Sequence, residues 1–255
     1  MKTLLGCGAI AAFAALGLAN DAAAQQQPGP LGVVEIFACN FVGASDMEDL
    51  LSVAERWNDC ADDRDVTDYT AFILTPYLFS DDVTFEVGWL GAYPNGAAMG
   101  AGQAQWLTEG TDLAADFEEV VDCDSHSQFA AANIRMPPGG PPEAGGLLGF
   151  RNCTLHEGRI AQEVGPAIAQ WGNYLAENGH DGFDGMLFPV AGERPDATYH
   201  FKTVHGFSSP VAYGEFMDIV TGGGLQVAQN LFGRLMDCDS PRIYAMTNVR
   251  VSAQP

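Results

Sequence analysis

Hydrophobic residues along the chain recur at two spacings, and the change of spacing predicts strands and helices. Residues 33–42 are rich in β-branched and aromatic side chains, which is typical of a strand. From Met47 to Trp57 the apolar positions recur at three and four residues, which predicts an amphipathic helix over about 45–60. The same criteria predict further strands over 69–78, 83–90 and 128–136, and helices over 97–107 and 113–121.

The predicted order of elements begins again after a segment that cannot form regular structure. Residues 137–147 are dominated by proline and glycine, which break helices and strands alike. Beyond that segment, strands are predicted over 148–156, 186–190, 197–205 and 242–251, and helices over 160–175 and 225–235. The chain therefore divides into two units of similar pattern, residues 32–136 and 148–252.

A polar signature occurs once in each unit. Asp122-Cys123-Asp124-Ser125 returns as Asp237-Cys238-Asp239-Ser240. In the same way Asn133 and Arg135 return as Asn248 and Arg250, at a constant distance downstream. A constant distance between matched residues indicates a tandem duplication. Spacing of two places each Asn/Arg pair on one face of its strand, where it could bind a substrate oxygen, form a salt bridge between the two units, or end the strand.

Each unit has the element order β-α-β-β-α-β, which is that of the ferredoxin-like fold. We predict an α+β protein in which two tandem ferredoxin-like repeats pack sheet to sheet as an intramolecular α/β barrel. This pattern resembles the dimeric α/β-barrel superfamily, with both halves fused in one chain. The resemblance implies a small-molecule pocket. The superfamily includes cofactor-free monooxygenases, lyases, isomerases, haem enzymes and members without known activity. The resemblance therefore makes each of these activities an expectation for this chain.

The N-terminus has the features of a signal peptide over residues 1–24. Lys2 is followed by an apolar run over 4–18 and by Ala22-Ala23-Ala24, which suits cleavage before Gln25. The run is shorter than the ~20 residues that a bilayer span needs. We therefore expect a periplasmic or secreted protein without an integral membrane segment after cleavage, with a retained anchor as the alternative.

The charge balance is strongly acidic and excludes one class of partner. Asp and Glu number 33 against 11 Lys and Arg, giving a net charge of −22, and the only lysines are Lys2 and Lys202. Such a charge repels phosphate backbones, so no nucleic-acid partner is expected. The excess of carboxylates either keeps the protein soluble in a salty compartment or forms a site for cationic ligands or calcium.

Four of the cysteines predict two disulfides. In the predicted unit the first and last strands are neighbours, which brings Cys39 to Cys123 and Cys153 to Cys238, and exported proteins keep disulfides. Metal ligation is the alternative, although no CxxC or Cys/His cluster is present. Cys60 has no counterpart in the second unit and is either a free buried thiol or a competitor for Cys123.

The two units differ at residues that could carry chemistry. Where the first unit has Glu86 and Gly88, the second has His200 and Lys202, and His156 ends its first strand. We predict these three as acid–base catalysts with Arg250 as an oxyanion partner, against the alternative of a solvent-exposed strand face. His126 and His180 are predicted to lie in loops.

Three functions follow as expectations. The first is an exported small-molecule-binding barrel that acts as a cofactor-free oxygenase, lyase or isomerase. The second is a non-catalytic binding or interaction scaffold of the cell envelope. The third is a haem-binding barrel with His156 or His200 as axial ligand, although no haem-attachment or other cofactor motif is present and the cofactor is left open.

Overall fold

The computed structural model describes residues 31–137, 140 and 145–252. The expected signal peptide and most of the proline- and glycine-rich segment lie outside these residues. Nine strands are present in the described ranges: β1 Gly32–Phe41, β2 Thr70–Leu78, β3 Val87–Tyr93, β4 Val121–Arg135, β5 Gly146–Leu155, β6 Phe183–Ala191, β7 Phe201–Phe207, β8 Met236–Cys238 and β9 Arg242–Arg250.

Helices follow the strands in each half of the chain. The α-helices are α1 Met47–Asp63, α2 Gly96–Glu109, α3 Thr111–Val120, α4 Val164–Glu177, α5 Pro210–Ile219 and α6 Leu225–Phe232. A 3-10 turn, Ala161–Glu163, leads into α4, and a π-helical turn, Val220–Gly224, joins α5 to α6. Within this part of the chain no helix is long and apolar enough to cross a bilayer.

Eight of the strands close into an antiparallel barrel. The order is β7-β6-β4-β1-β3-β2-β9-β5, and β5 pairs with β7 to complete the ring, while β8 adds to the edge of β5. The halves meet where β2 pairs with β9 and where β4 pairs with β6. The predicted α+β barrel is thus confirmed, and its two halves are joined by hydrogen bonds between strand edges.

The barrel interior forms one apolar core. Interior side chains alternate along each strand with side chains that face the helices, as the two-residue period of a strand requires. Buried residues from all eight barrel strands meet there: Val34, Phe72, Leu74, Leu90, Phe129, Ala131, Leu148, Phe150, Leu187, Val204, Tyr244 and Met246. An eight-stranded barrel has room inside only for side chains or one small ligand, and in this barrel apolar side chains occupy the interior.

The helices cover the outer face of the barrel unevenly. Leu50, Val53 and Ala54 of α1 pack on the first half, and Val164 and Ile168 of α4 pack on the second. By contrast α2, α5 and α6 contain no fully buried residue. These three helices are therefore held less tightly than α1 and α4.

Local signals explain where the best-defined helices begin. The Asp46 carboxylate accepts from the backbone N–H groups of Glu48 and Asp49, and the Asp49 side chain accepts from the Asp46 N–H, which forms a reciprocal cap. Ser209 caps α5 by accepting from the Ala212 N–H, with Pro210 at the first helical position. The π-helical turn depends on Gly223, whose φ of 129° disfavours any side chain.

Both predicted disulfides are present. Cys39 is joined to Cys123 between β1 and β4, and Cys153 to Cys238 between β5 and β8. They close loops with sequence separations of 84 and 85 residues, each worth about 4–5 kcal/mol in the chain-entropy model. Cys60 is a free thiol on α1, half-buried beside Arg64.

Several boundaries differ from those predicted. β4 begins at Val121 instead of 128, so His126 lies in a strand and the loop prediction for it was wrong. The polar run before residue 128 conceals this strand, because the side chains of residues 122–126 are exposed and show no alternation of burial. β3 and β7 begin four residues later than predicted, and α5 was missed since it buries no residue and shows no clear period.

Candidate functional site

The two repeated arginines each reach from one half of the barrel into the other. Arg135, at the end of β4, donates from Nε to Asp184 Oδ2 at 2.7 Å and from Nη1 to the His180 carbonyl at 3.4 Å. Arg250, at the end of β9, donates to the Val66 carbonyl and to Asp62 Oδ1, the latter at 2.7 Å. Of the roles open to these arginines, the structure shows the salt bridge between halves. The oxyanion role of Arg250 stays a prediction.

Arg135 belongs to a buried cluster of ionisable groups on the outer face of the second half. We define the second-half cluster as Arg135, His180, Asp184 and His205. Asp184 on β6 and His205 on β7 are neighbours in the β6–β7 register, and His205 Nδ1 hydrogen-bonds Asp184 Oδ1. His180, in the turn after α4, places its Nε2 3.2 Å from His205 Nε2. The four residues form one continuous chain of polar contacts.

Burial and charge set the protonation of this cluster. Burial alone would raise the pKa of Asp184, but hydrogen bonds and positive charge from His205 and Arg135 lower it below its usual value. The pKa of His180 falls to about 4, first because of burial and then because of His205 and Arg135. Near neutral pH the cluster therefore holds an ionised carboxylate and a neutral His180 ring.

One donor of the cluster is unused. Arg135 Nη2 is buried and has no hydrogen-bond partner among the described residues. Buried polar groups are nearly always paired in proteins, so a donor without an acceptor is unusual. It lies on the same guanidinium that orients Asp184. The cluster thus offers an N–H group to an additional oxygen atom.

Aromatic rings and close backbone packing surround the two histidines. Phe207 and Phe216 lie with ring centroids 4.6 and 5.1 Å from that of His205, and both also contact His180. Gly172 lets α4 pack closely against the Arg135 side chain, because a Cβ at this position would lie only 2.7 Å from Arg135 Nε. His180 is 2% exposed, whereas the side chain of His205 keeps 18% exposure. His205 is therefore the more accessible base.

The first half carries a different polar cluster on its outer face. We define the first-half cluster as Glu35, Tyr69, Gln103 and His126. The buried Glu35 carboxylate accepts from the Tyr69 hydroxyl at 2.9 Å and from Gln103 Nε2 at 3.4 Å, and lies 3.3 Å from His126 Nε2. Burial, then Glu35, raises the pKa of Tyr69 well above its usual value, so the phenol stays a proton donor.

Three residues predicted from the sequence lie at the end of β5 and the start of β7, outside both clusters, and each has its own contacts. His200 is exposed, with Nδ1 accepting from the Leu155 N–H at 2.9 Å. His156 Nε2 is 3.0 Å from Asp237 Oδ2. Lys202 points into the end of the barrel. Their catalytic roles stay predictions.

Asp184 and His205 were not predicted as site residues from the sequence. Asp184 is one acidic residue among many and has no motif around it. His205 has a usable signal, since it replaces a glycine, Gly91, at the matched position of the first unit. A residue that gains a side chain in only one half of a repeat is a candidate for function.

The clusters do not provide an evident cofactor site. In the described part of the chain, no three His, Cys, Asp or Glu side chains are grouped so that they could hold a metal ion. His205, like His126 and His156, has the carboxylate partner typical of ligating imidazoles. Its Nε2, however, is already 3.2 Å from His180, and Phe207 and Phe216 pack on its ring. In this arrangement His205 does not fit a haem, and the axial role predicted for His156 or His200 stays a prediction.

Comparison with known proteins identifies the fold. No family model matches the chain, and no curated protein matches it in sequence. Three solved structures are similar over most of their length. A candidate monooxygenase from Lactobacillus acidophilus has a TM-score of 0.56 and 8% identity, covering 86% of this chain and 95% of its own. A candidate chlorite dismutase has a TM-score of 0.51 and 7% identity, covering 86% and 95%. A candidate DyP-type peroxidase from Shewanella oneidensis has a TM-score of 0.51 and 8% identity, covering 87% and 94%.

These likenesses define the class of protein by its fold. The chain has the fold of the dimeric α/β-barrel proteins, with one chain supplying all eight barrel strands. Identities this low carry no activity across, so function has to be argued from the side chains of this chain.

Proposed function

We propose that the chain is an exported small-molecule enzyme with the second-half cluster as its acid–base centre. The observation that carries the proposal is the unpaired, buried Nη2 of Arg135, whose guanidinium binds the same carboxylate that holds the His205 imidazole. A donor of that kind suits an oxygen that becomes negative during a reaction. Acid, base and oxyanion donor then lie within one group of contacts.

The geometry supports a reaction that begins with proton abstraction next to a carbonyl group. Asp184 fixes the Nδ1–H tautomer of His205 and leaves Nε2 as the base. His180 Nε2 lies 3.2 Å from that nitrogen, so a substrate reaches His205 Nε2 by displacing the neutral His180 ring. Arg135 Nη2 stabilises the enolate oxygen. This first step is common to isomerases, lyases and cofactor-free oxygenases, and the surrounding Phe207 and Phe216 rings favour a largely apolar substrate.

The experiment measures exchange of carbon-bound hydrogen for deuterium. The native protein in D2O is mixed with pentane-2,4-dione or 1-phenylbutane-1,3-dione, and loss of the proton signal is followed by NMR. We expect exchange above the buffer rate, stronger for the phenyl compound. His205→Gln should lower the protein-dependent rate about 100-fold or more, the usual contribution of a general base. Arg135→Lys, which keeps the charge but not the fork of donors, should lower it by roughly tenfold.

Two results would overturn the assignment. Loss of exchange in His200→Gln with retention in His205→Gln would move the centre to the residues predicted from the sequence. Native protein that leaves both diones at the buffer rate would favour the non-catalytic binding scaffold. Near-UV circular dichroism of each variant separates loss of chemistry from loss of fold.

The origin and export of the chain are further parts of the proposal. The matched signatures and the identical strand order of the halves, β4-β1-β3-β2 and β9-β5-β7-β6, support duplication of one ferredoxin-like unit, as residues 32–136 and 148–252. Two disulfides support an oxidising compartment. The intact mass of the protein recovered from the periplasm or medium tests cleavage after residue 24.

A further inference from the structure

Lys202 is unusual among the charged residues of the chain. Apart from Lys2 it is the only lysine, in a protein with 33 carboxylates. Yet its Nζ forms no ion pair within 4.0 Å among the described residues. Lysines removed from water are usually paired with a carboxylate. An unpaired amine in so acidic a chain suggests that the amine itself is used.

The amine is held at the end of the barrel by neutral groups. Its Nζ donates to Asn152 Oδ1 at 2.9 Å and lies 4.1 Å from the ring centroid of Tyr199 and 5.7 Å from that of Phe129. Burial lowers the pKa of Lys202. Its charged neighbours act in both directions, since Glu193 and Asp239 raise the pKa and Arg242 lowers it.

An open cleft lies beside the two residues that contact the amine; Lys202 itself does not line it and reaches it by an outward turn of its flexible side chain. Asn152 and Tyr199 both contact Nζ and line a cleft of about 280 Å³, together with Asp237 and Asp239. The Tyr199 hydroxyl is buried and has no hydrogen-bond partner among the described residues. Burial, then Glu193, raises the pKa of Tyr199, so it remains a proton donor. The cleft thus places a phenolic O–H group, which has the Glu193 carboxylate nearby, next to the amine.

We propose that this cleft binds small neutral aldehydes and that Lys202 captures them as an imine. The Nζ electron pair forms a bond to the carbonyl carbon while the carbonyl oxygen takes a proton from Tyr199, and the nitrogen then returns one of its two protons to the Tyr199 phenolate. The resulting carbinolamine loses the nitrogen proton and hydroxide, together one water, and leaves a C=N bond. No oxidant or reductant is involved, and the capture is reversible. Asp237 and Asp239 exclude anionic carbonyl compounds by charge repulsion.

This proposal is independent of the second-half cluster, since none of its residues belongs to that cluster. The test traps the imine chemically. Native protein at pH 7 is incubated with glycolaldehyde and sodium cyanoborohydride, and peptide mapping by mass spectrometry locates the hydroxyethyl adduct. Having one lysine beyond residue 24 makes the map simple, because only the terminal amine and Lys2, where retained, compete.

The matched control moves the lysine to the surface. In the double variant K202R/R194K the lysine stands at a position whose side chain is 82% exposed. We expect Lys202 to be labelled on the order of tenfold faster than the relocated lysine at the same pH. Tyr199→Phe should slow the labelling of Lys202 about threefold, and the anion glyoxylate should label it more slowly than glycolaldehyde does.

Equal labelling of Lys202 and the relocated lysine would overturn the proposal. Labelling confined to the terminal amine would do the same. Circular dichroism of the double variant, which keeps the total charge, confirms that both proteins compared are folded.

Discussion

The two halves of the barrel have the same strand arrangement, but they place an ionisable side chain on different strands of a matching pair. In the β1–β3 register Glu35 stands opposite Gly91, and in the β5–β7 register Gly149 stands opposite His205. The halves therefore use the same cross-strand position, but each has the polar side chain on the strand where the other has glycine.

The side chains next to Gly91 and Gly149 determine whether either glycine could be replaced by a larger residue. A Cβ at Gly91 would collide with the Tyr69 hydroxyl, which fills that space in the first half. A Cβ at Gly149 would lie 2.8 Å from Ile243 Cδ1 in the second. The first half has thus filled the place that the second uses, whereas at Gly149 only the end of the Ile243 side chain would have to move. A repeated fold can carry two unlike polar networks with no change in its strands.

The largest expected difference between the halves concerns their bridging arginines. Arg135→Gln leaves Asp184 buried without its cationic partner, and we expect a loss of about 3–5 kcal/mol in the free energy of unfolding. Arg250→Gln should cost only about 1–2 kcal/mol, because its partner Asp62 is 68% exposed. Urea unfolding with both disulfides intact measures the two values.

The double variant Arg135→Gln/Asp184→Asn provides the control for that comparison. Removing both charges should restore part of the stability lost in Arg135→Gln, since no uncompensated carboxylate remains. Equal losses in the free energy of unfolding for Arg135→Gln and Arg250→Gln would contradict the expectation that the Arg135 salt bridge stabilises the fold more than the Arg250 salt bridge does.

The second expected difference is a dependence of stability on pH that originates in the second half. His180 has a folded pKa of about 4 against 6.5 unfolded, so folding favours its neutral form. Its contribution is complete above pH 6.5 and is lost as pH falls toward 4, by up to about 1.4 kcal/mol per pH unit. The pKa of Asp184 is lowered, so its contribution is lost only at still lower pH, through its folded pKa.

Replacing His180 isolates that contribution. His180→Gln should flatten the curve of unfolding free energy between pH 6.5 and 4, although the variant is less stable at pH 7. Urea titrations at half-unit steps give the slope. A slope unchanged from that of the native protein would show that other groups are responsible.

The smallest expected effect lies in the first half. Tyr69→Phe removes a hydrogen bond to the buried Glu35 carboxylate and should cost about 1.5–2 kcal/mol. Gln103→Met, which removes a longer contact of 3.4 Å from partly buried α2, should cost roughly 0.5 kcal/mol or less. If thermal unfolding showed a larger loss of stability for Gln103→Met than for Tyr69→Phe, the buried Glu35 carboxylate would be stabilised mainly by Gln103 of α2 and not by the Tyr69 hydroxyl.

Much of the fold could be predicted from the sequence because it is encoded locally and twice. The period of α1, the Pro/Gly segment and the matched cysteines each specify one feature, and the disulfides followed from strand neighbours alone. The pairing of β2 with β9 and of β4 with β6, which joins the two halves, could not be predicted from such local features. Alternation along a strand shows which face is buried, but not which strand lies at its edge.

The candidate sites were harder to predict for a physical reason. His205 acquires its chemistry from Asp184, 21 residues away, and from Arg135 of the other half, so no short motif records it. Lys202 was found because lysine is rare in this chain. The sequence could not show that its neighbours would be Asn152 and Tyr199 in place of a carboxylate.

The closed ring of strands has a consequence for a chain that is cut. Cleavage between residues 137 and 145 would separate fragments that each expose two strand edges, β2 and β4 on one, and β6 and β9 on the other. Exposed edges pair with whatever strand is available. Each fragment would keep its own disulfide, which joins β1 to β4 in one and β5 to β8 in the other. The two pieces should therefore reassemble as a non-covalent heterodimer when mixed and aggregate when kept apart.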